Sequence, residues 1–419
     1  MPKPAPSRPL RLAFIAPFGL RPKGTASARA LPLAQALVAR GHQVRLVVPP
    51  WDDPSAPPEG RVSRLGSVEV VELSAPRPAL PGAGLARWPA ALMREALRGR
   101  PDVVHVFKPK AYAGFAALGL VALRRPWVLD TDDWEGRGGW NTLNRYPAPQ
   151  RALFQWQETT LPRLAGATTV ASRTLETQLW GFGVPRGRVF YLPNGVDHAK
   201  YDPWLAAAAD RAAVERVRGM YGLPPASPDN PLLLLWTRFV EFPIEWPLRV
   251  LESLAPRWPG LRLLVVGEGF HGEERRLLAD ADSRGLAGRV LVCGRVEGAD
   301  LGALLAQGTV ALYPMRDTLV NRAKCPVKLL DLLALGVPVV AHNVGQVGEY
   351  LGHGESGLLV PPGDVPGLTA GVQALLADPA RRETLGRAAA ARAWTCFPWT
   401  RLAAAAEAAY AVALRRAGR

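Results

Sequence analysis

The chain has 419 residues and a mass of 45.2 kDa, which predicts two or three domains and a core large enough to need no disulfide. Its 51 basic residues outnumber 36 acidic ones by 15, and 44 of the basic residues are arginine, so the balance points either to an anionic partner or to an arginine-rich composition. The arginines are scattered without interleaved aromatics, which speaks against a nucleic-acid-binding role, and the odd, unpaired Cys293, Cys325 and Cys396 speak against a disulfide framework or a zinc site and for a reducing, cytoplasmic setting.

In chain order, the apolar run Leu10 to Pro17 reads as a buried first strand rather than as a signal peptide. A glycine-containing loop and a helix over Ser27 to Arg40, closed by Gly41, lead to a second strand over Gln43 to Val48. The βαβ rhythm continues with strands at Val68 to Leu73, Val103 to Phe107, Trp127 to Asp130, Ala167 to Ala171 and Val189 to Leu192. The longest weakly polar run, Ala111 to Leu123, is 13 residues, short of the ~20 that span a bilayer. Gly84 to Arg100 has an amphipathic pattern, which together with the positive balance makes peripheral contact with an anionic membrane a further expectation.

Tyr221 to Asn230 interrupts this rhythm with three prolines. It restarts with strands at Pro231 to Trp236, Leu261 to Val266, Arg289 to Cys293, Thr309 to Tyr313 and Val337 to His342, and closes with helices over Arg382 to Trp394 and Trp399 to Arg416. The predicted fold class is α/β, with two Rossmann-like, doubly wound parallel-sheet domains facing each other across a cleft. The expected division is 1–198, 199–395 and a final helix, 396–419, crossing back to the first domain.

The stretch from Tyr313 to Asp364 carries the most chemistry. Pro326 suits a first helical position, Val327 to Leu335 has helical periodicity, and Gly336 is placed to end the helix. Lys324 and Lys328 then stand near a helix amino terminus, where free N–H groups and the dipole favour a phosphate, and Asp331 follows on a neighbouring face, able to accept bonds from a ribose diol. The same spacing also suits an ordinary surface Lys–Asp pair.

This stretch resembles the nucleotide-sugar site of the group 1 (family 4-like) retaining glycosyltransferases of GT-B architecture. Further pieces stand in matching order: Lys23-Gly24-Thr25-Ala26-Ser27, Asp102-Val103-Val104-His105, Pro193-Asn194-Gly195-Val196-Asp197, Val266-Gly267-Glu268-Gly269 and Glu355-Ser356-Gly357. The resemblance implies that Arg238, after the first strand of the second domain, grips the donor diphosphate, while the lysine expected five positions later falls on Pro243. Of the family's paired glutamates the later is matched by Asp331 and the earlier falls on Ala323, which marks a divergent branch. Gly24, Gly345 and Gly348 are the places where backbone would approach donor phosphate or sugar.

In the first domain, Asp130-Thr131-Asp132-Asp133 puts Asp132 where the family often has a histidine. Three aspartates in four residues are compatible with a divalent metal, with orientation or deprotonation of an acceptor hydroxyl, or with a capped turn; the reading adopted is catalytic Asp132 and Asp133 and no metal. His105 is a further catalytic candidate at the expected cleft, and Lys108 and Lys110 are either solvated loop charges or a lure for an anionic acceptor. The resulting expectation is an enzyme with no cofactor and no metal, moving a sugar from a nucleoside diphosphate sugar, UDP or GDP, to a glycan, lipid or small-molecule hydroxyl with retention. An epimerase or phosphorylase on the same scaffold, or a non-catalytic sugar-nucleotide binder, are the alternatives.

Overall fold

The computed structural model describes residues 8–20, 24–50, 59–74 and 84–418. Contacts divide the chain into two units. The first holds residues up to Asn194 together with Arg322–Cys325 and the last helix from Trp399, and the second holds Gly195–Asn321 and Pro326–Pro398.

Among the described residues, unit 1 is built on eight strands: β1 (Arg11–Ile15), β2 (Gln43–Val48), β3 (Arg61–Leu65), β4 (Val68–Glu72), β5 (Val103–Phe107), β6 (Trp127–Thr131), β7 (Ala167–Val170) and β8 (Val189–Tyr191). They lie in the order β3-β4-β2-β1-β5-β6-β7-β8. The central strands read as mainly apolar runs because helices cover both faces, and β5 is buried at every position, His105 included. Of these described strands only β3 runs antiparallel. Its sequence, RVSRL, mixes two arginines and a serine with two apolar residues and lies on the exposed edge, so it carries no apolar run from which a strand is predicted, and the sheet is mixed at that edge.

The helix predicted over Ser27 to Arg40 begins earlier, as a π-helical turn, Thr25–Ala30, that continues into an α-helix, Leu31–Ala39. The final helix, Trp399–Arg416, packs its alanine-rich face and Tyr410 into the core formed by Phe14, Leu46 and Phe107. Its small residues allow that approach: a Cβ on Gly166 would meet the Ala413 methyl at 2.7 Å. Glu407 fastens the helix, accepting from Arg40 at 2.6 and 2.7 Å and lying 3.1 Å from His42 Nε2.

Unit 2 is an all-parallel sheet of β9 (Leu232–Trp236), β10 (Arg262–Val266), β11 (Val290–Val292), β12 (Val310–Tyr313), β13 (Val339–His342) and β14 (Leu358–Val360), in the order β11-β10-β9-β12-β13-β14. Helices such as Glu245–Leu254 and Val365–Ala377 bury leucines and valines on its core. The segment after Gly195 folds as two helices, His198–Ala209 and Arg211–Met220, of this unit. Gly267 closes β10 in a left-handed conformation, φ +114°, so near β9 that a Cβ would lie 2.0 Å from the Thr237 carbonyl oxygen.

Candidate functional site

In unit 2 the charged side chains gather at the carboxyl end of β9, the place where open α/β sheets take their ligands. Trp236 is the last residue of β9, and its indole Nε1 donates to Asp331 Oδ2 at 3.0 Å. Asp331 projects from the helix Val327–Ala334, which no side chain caps at its amino end and which Pro326 precedes as the N-cap residue, one position before the expected place. The carboxylate is buried, and its other oxygen accepts from Lys200 Nζ at 2.5 Å and Tyr201 Oη at 2.8 Å.

Lys328, on the same helix, holds its ammonium 2.8 Å from the Trp236 ring centroid. Burial pushes its pKa down to about 7; Asp331 pulls it up and Arg238 presses it further down. Arg238 itself is exposed, 3.9 Å from Glu241 and 5.8 Å from the Phe270 ring. Gly345 and Gly348 follow β13. Gly345 has φ +53°, which favours glycine, and a Cβ on Gly348 would meet Asn343 Oδ1 at 2.5 Å, a side chain that would have to turn away.

In unit 1 the three aspartates part company. Asp130, fully buried on β6, takes a bidentate grip from Arg29 at 2.6 and 2.7 Å. Arg29 also reaches Asn194 Oδ1 and the Leu192 carbonyl, and it stays charged because Asp130 more than offsets the cost of its burial. Asp132 and Asp133 lie past the strand end, against Lys108 at 3.5 and 3.4 Å. Lys108 also meets Glu135 at 3.0 Å, and Lys110 meets the other Glu135 oxygen at 2.6 Å. Thr25, from the π-turn, donates to Asp132 Oδ2 at 3.2 Å. Burial raises the proton affinity of Asp133, with Lys108 opposing it, and raises that of buried Glu158 well above the carboxylate range. Lys324 is counted with this unit, with its ammonium 4.9 Å from the Trp140 ring.

Two family models match the chain, one described as glycosyl transferases group 1 over residues 230–378 and one as glycosyltransferase family 4 over residues 26–200. The chain belongs to the group 1, family 4 glycosyltransferases. Among its relatives, the glycogen synthase of Mycobacterium tuberculosis is 26% identical over 91% of this chain and 90% of its own. The GDP-mannose-dependent alpha-(1-6)-phosphatidylinositol monomannoside mannosyltransferase of Mycolicibacterium smegmatis is 29% identical over 72% of this chain and 74% of its own. Among solved structures, the catalytic domain of Arabidopsis thaliana starch synthase IV, bound to ADP and acarbose, superposes with a TM-score of 0.72 at 15% identity, covering 98% of this chain and all of that one, which establishes the GT-B fold.

Within this glycosyltransferase several expected site residues take different roles. His105 lies in the core rather than at a surface a substrate reaches: it is fully buried, with Nδ1 2.9 Å from Tyr410 Oη and Nε2 3.2 Å from Thr169 Oγ1. Burial holds its pKa well below the usual range, so the ring is neutral, and Thr169 passes the chain of bonds on to Asp130 at 2.5 Å. Lys108 and Lys110 are buried and paired, neither solvated nor free for an anionic acceptor. Gly24 has ordinary helical angles, and a Cβ there would make only a 3.7 Å contact with Ala28, so nothing local demands glycine; Lys23 lies outside the described residues. No group of three or more His, Cys, Asp or Glu is arranged to hold a metal among the described residues. Lys200, Tyr201 and Trp236 escape sequence reasoning; Lys200 follows the Pro193 to Asp197 motif closely, but nothing in its spacing announces Asp331 as its partner.

Proposed function

We propose that this glycosyltransferase moves a sugar from a UDP- or GDP-sugar to an acceptor hydroxyl with retention, in cell-surface glycan or glycolipid synthesis. The observation that carries the reading is the group at the end of β9, where Arg238 and Lys328 stand beside a tryptophan-held Asp331. As the bond from the anomeric carbon to the diphosphate breaks, negative charge grows on the leaving oxygens, and these two cations meet it. Arg238 offers a planar fork to two phosphate oxygens, and Lys328 adds a charge that the diphosphate itself stabilises. Asp331 Oδ2 keeps one lone pair for a ribose hydroxyl beside the Trp236 bond.

On the acceptor side, Asp132 orients the attacking hydroxyl and Asp133, whose proton affinity is raised, receives its proton as the new bond to the anomeric carbon forms. With the diphosphate charge met by side chains, the reaction in this reading proceeds without a metal or cofactor. The relatives support the donor class: one is GDP-mannose-dependent and acts on a phosphatidylinositol mannoside, and the starch synthase structure holds ADP. A lipid-linked acceptor fits the helix Gly84–Leu97, which exposes Arg94, with exposed Arg98 just beyond it. The reading is tested by donor turnover: Arg238→Ala and Lys328→Met should each reduce it by tenfold or more, and unchanged turnover in both would place the donor elsewhere.

A further inference from the structure

The charges at the end of β9 include one that no motif marks. Lys200 Nζ lies 2.5 Å from Asp331 Oδ1 and 3.2 Å from Tyr201 Oη, and its ammonium stands over the Tyr201 and Trp204 rings at 4.6 and 5.0 Å. An ammonium has three donors. Two are engaged here, and the side chain is 34% exposed, so the third N–H has access to solvent.

The seat is rigid, because Tyr201 is buried and donates to the same oxygen, while Trp236 holds the other oxygen from the tip of β9. A pre-positioned ammonium loses little side-chain entropy on meeting an anion. Lys200 is also close enough to Lys328 to press on its protonation, as Arg238 does. Three basic side chains, Lys200, Lys328 and Arg238, therefore face two carboxylates, Asp331 and Glu241, an excess of one positive charge once Lys328 is protonated, which favours an anion there.

We propose that Lys200, seated on Asp331, is a third cation that binds the donor's diphosphate. This rests on the reading of the β9 end as the donor site and adds a residue to it. The ammonium keeps its bond to Asp331 and directs its free N–H to a phosphate oxygen, so the nucleoside portion gains nothing from it.

The test compares UDP and GDP with uridine and guanosine as ligands of the full chain, for wild type, Lys200→Met and Lys200→Arg. Lys200→Met should weaken the diphosphate that binds by about tenfold more than it weakens the nucleoside, and Lys200→Arg should recover most of that difference. Should Met leave Asp331 uncompensated and unfold the chain, Lys200→Gln keeps a donor for Asp331 without the charge and should show the same selective loss. Equal losses for diphosphate and nucleoside, or no loss for the diphosphate, would overturn the role of Lys200. If Arg238→Ala still weakens the diphosphate in that case, the donor site itself stands; if the wild type binds neither diphosphate, the site reading fails instead.

Discussion

Lys328 places a charge where burial resists it, and that makes it measurable. Its pKa falls from 10.5 to about 7, and at ~1.36 kcal/mol per unit the drop is worth roughly 5 kcal/mol between its two protonation states. The unfolded chain still binds the proton that the folded chain has half released at pH 7, so wild-type stability rises with pH from about 7 to 10.5. Lys328→Met keeps the stem, removes the charge and loses that slope. Relative to wild type it should gain at most ~4 kcal/mol at pH 7, shrinking to about 1 kcal/mol at pH 9.5. The direct assay is carbon NMR of enzyme labelled at lysine Cε, where only seven residues contribute. One signal should titrate near pH 7, vanish in Lys328→Met, and move to higher pH when the nucleoside diphosphate binds, because an anion favours the charged form. If every lysine titrates above pH 9 in the free enzyme, or the low signal ignores the ligand, the electrostatic account of this site is wrong.

Other outcomes follow from the same geometry. Donor affinity should fall as pH rises above 7, by up to tenfold per unit, because the diphosphate binds the protonated Lys328; an affinity independent of pH between 7 and 9 contradicts this. Arg29→Met strands the Asp130 carboxylate in the core and should cost ~3–5 kcal/mol in denaturant unfolding, with Asp130→Asn added to it recovering part of the loss; a variant of wild-type stability would mean the pair is not buried as described. Gly267→Ala, at φ +114° and with the Thr237 carbonyl in the way, should lower the melting temperature or prevent folding, and a neutral effect would refute the close approach of β9 and β10. Transfer should proceed undiminished in excess EDTA, and loss of activity restored by a divalent ion would show that side-chain cations alone do not meet the diphosphate charge.

Much of the fold is legible in the sequence because strands covered on both faces carry mainly apolar runs, unbroken in Leu232 to Trp236 and interrupted only by His105 in Val103 to Phe107. One exception has the opposite character. β3 carries arginines on an exposed edge. For the site, Arg238 and Lys328 are visible because their neighbours in sequence form recognisable motifs. Lys200 is not, since its role depends on a carboxylate far along the chain. The aspartates of 130–133 look alike in sequence, yet Asp130 lies within β6 and meets Arg29, whereas Asp132 and Asp133 lie past its end and meet Lys108. His105 shows the same limit: its strand is predictable, but Tyr410, which encloses it, comes from the last helix.

The most direct test of the account is ligand-detected binding of the wild-type chain to a panel of UDP-, GDP-, ADP- and TDP-sugars, repeated with Arg238→Ala. The account predicts saturable binding of a UDP- or GDP-sugar that weakens at least tenfold in the variant. Failure of every sugar nucleotide to bind the wild type, or binding indifferent to Arg238, would contradict it.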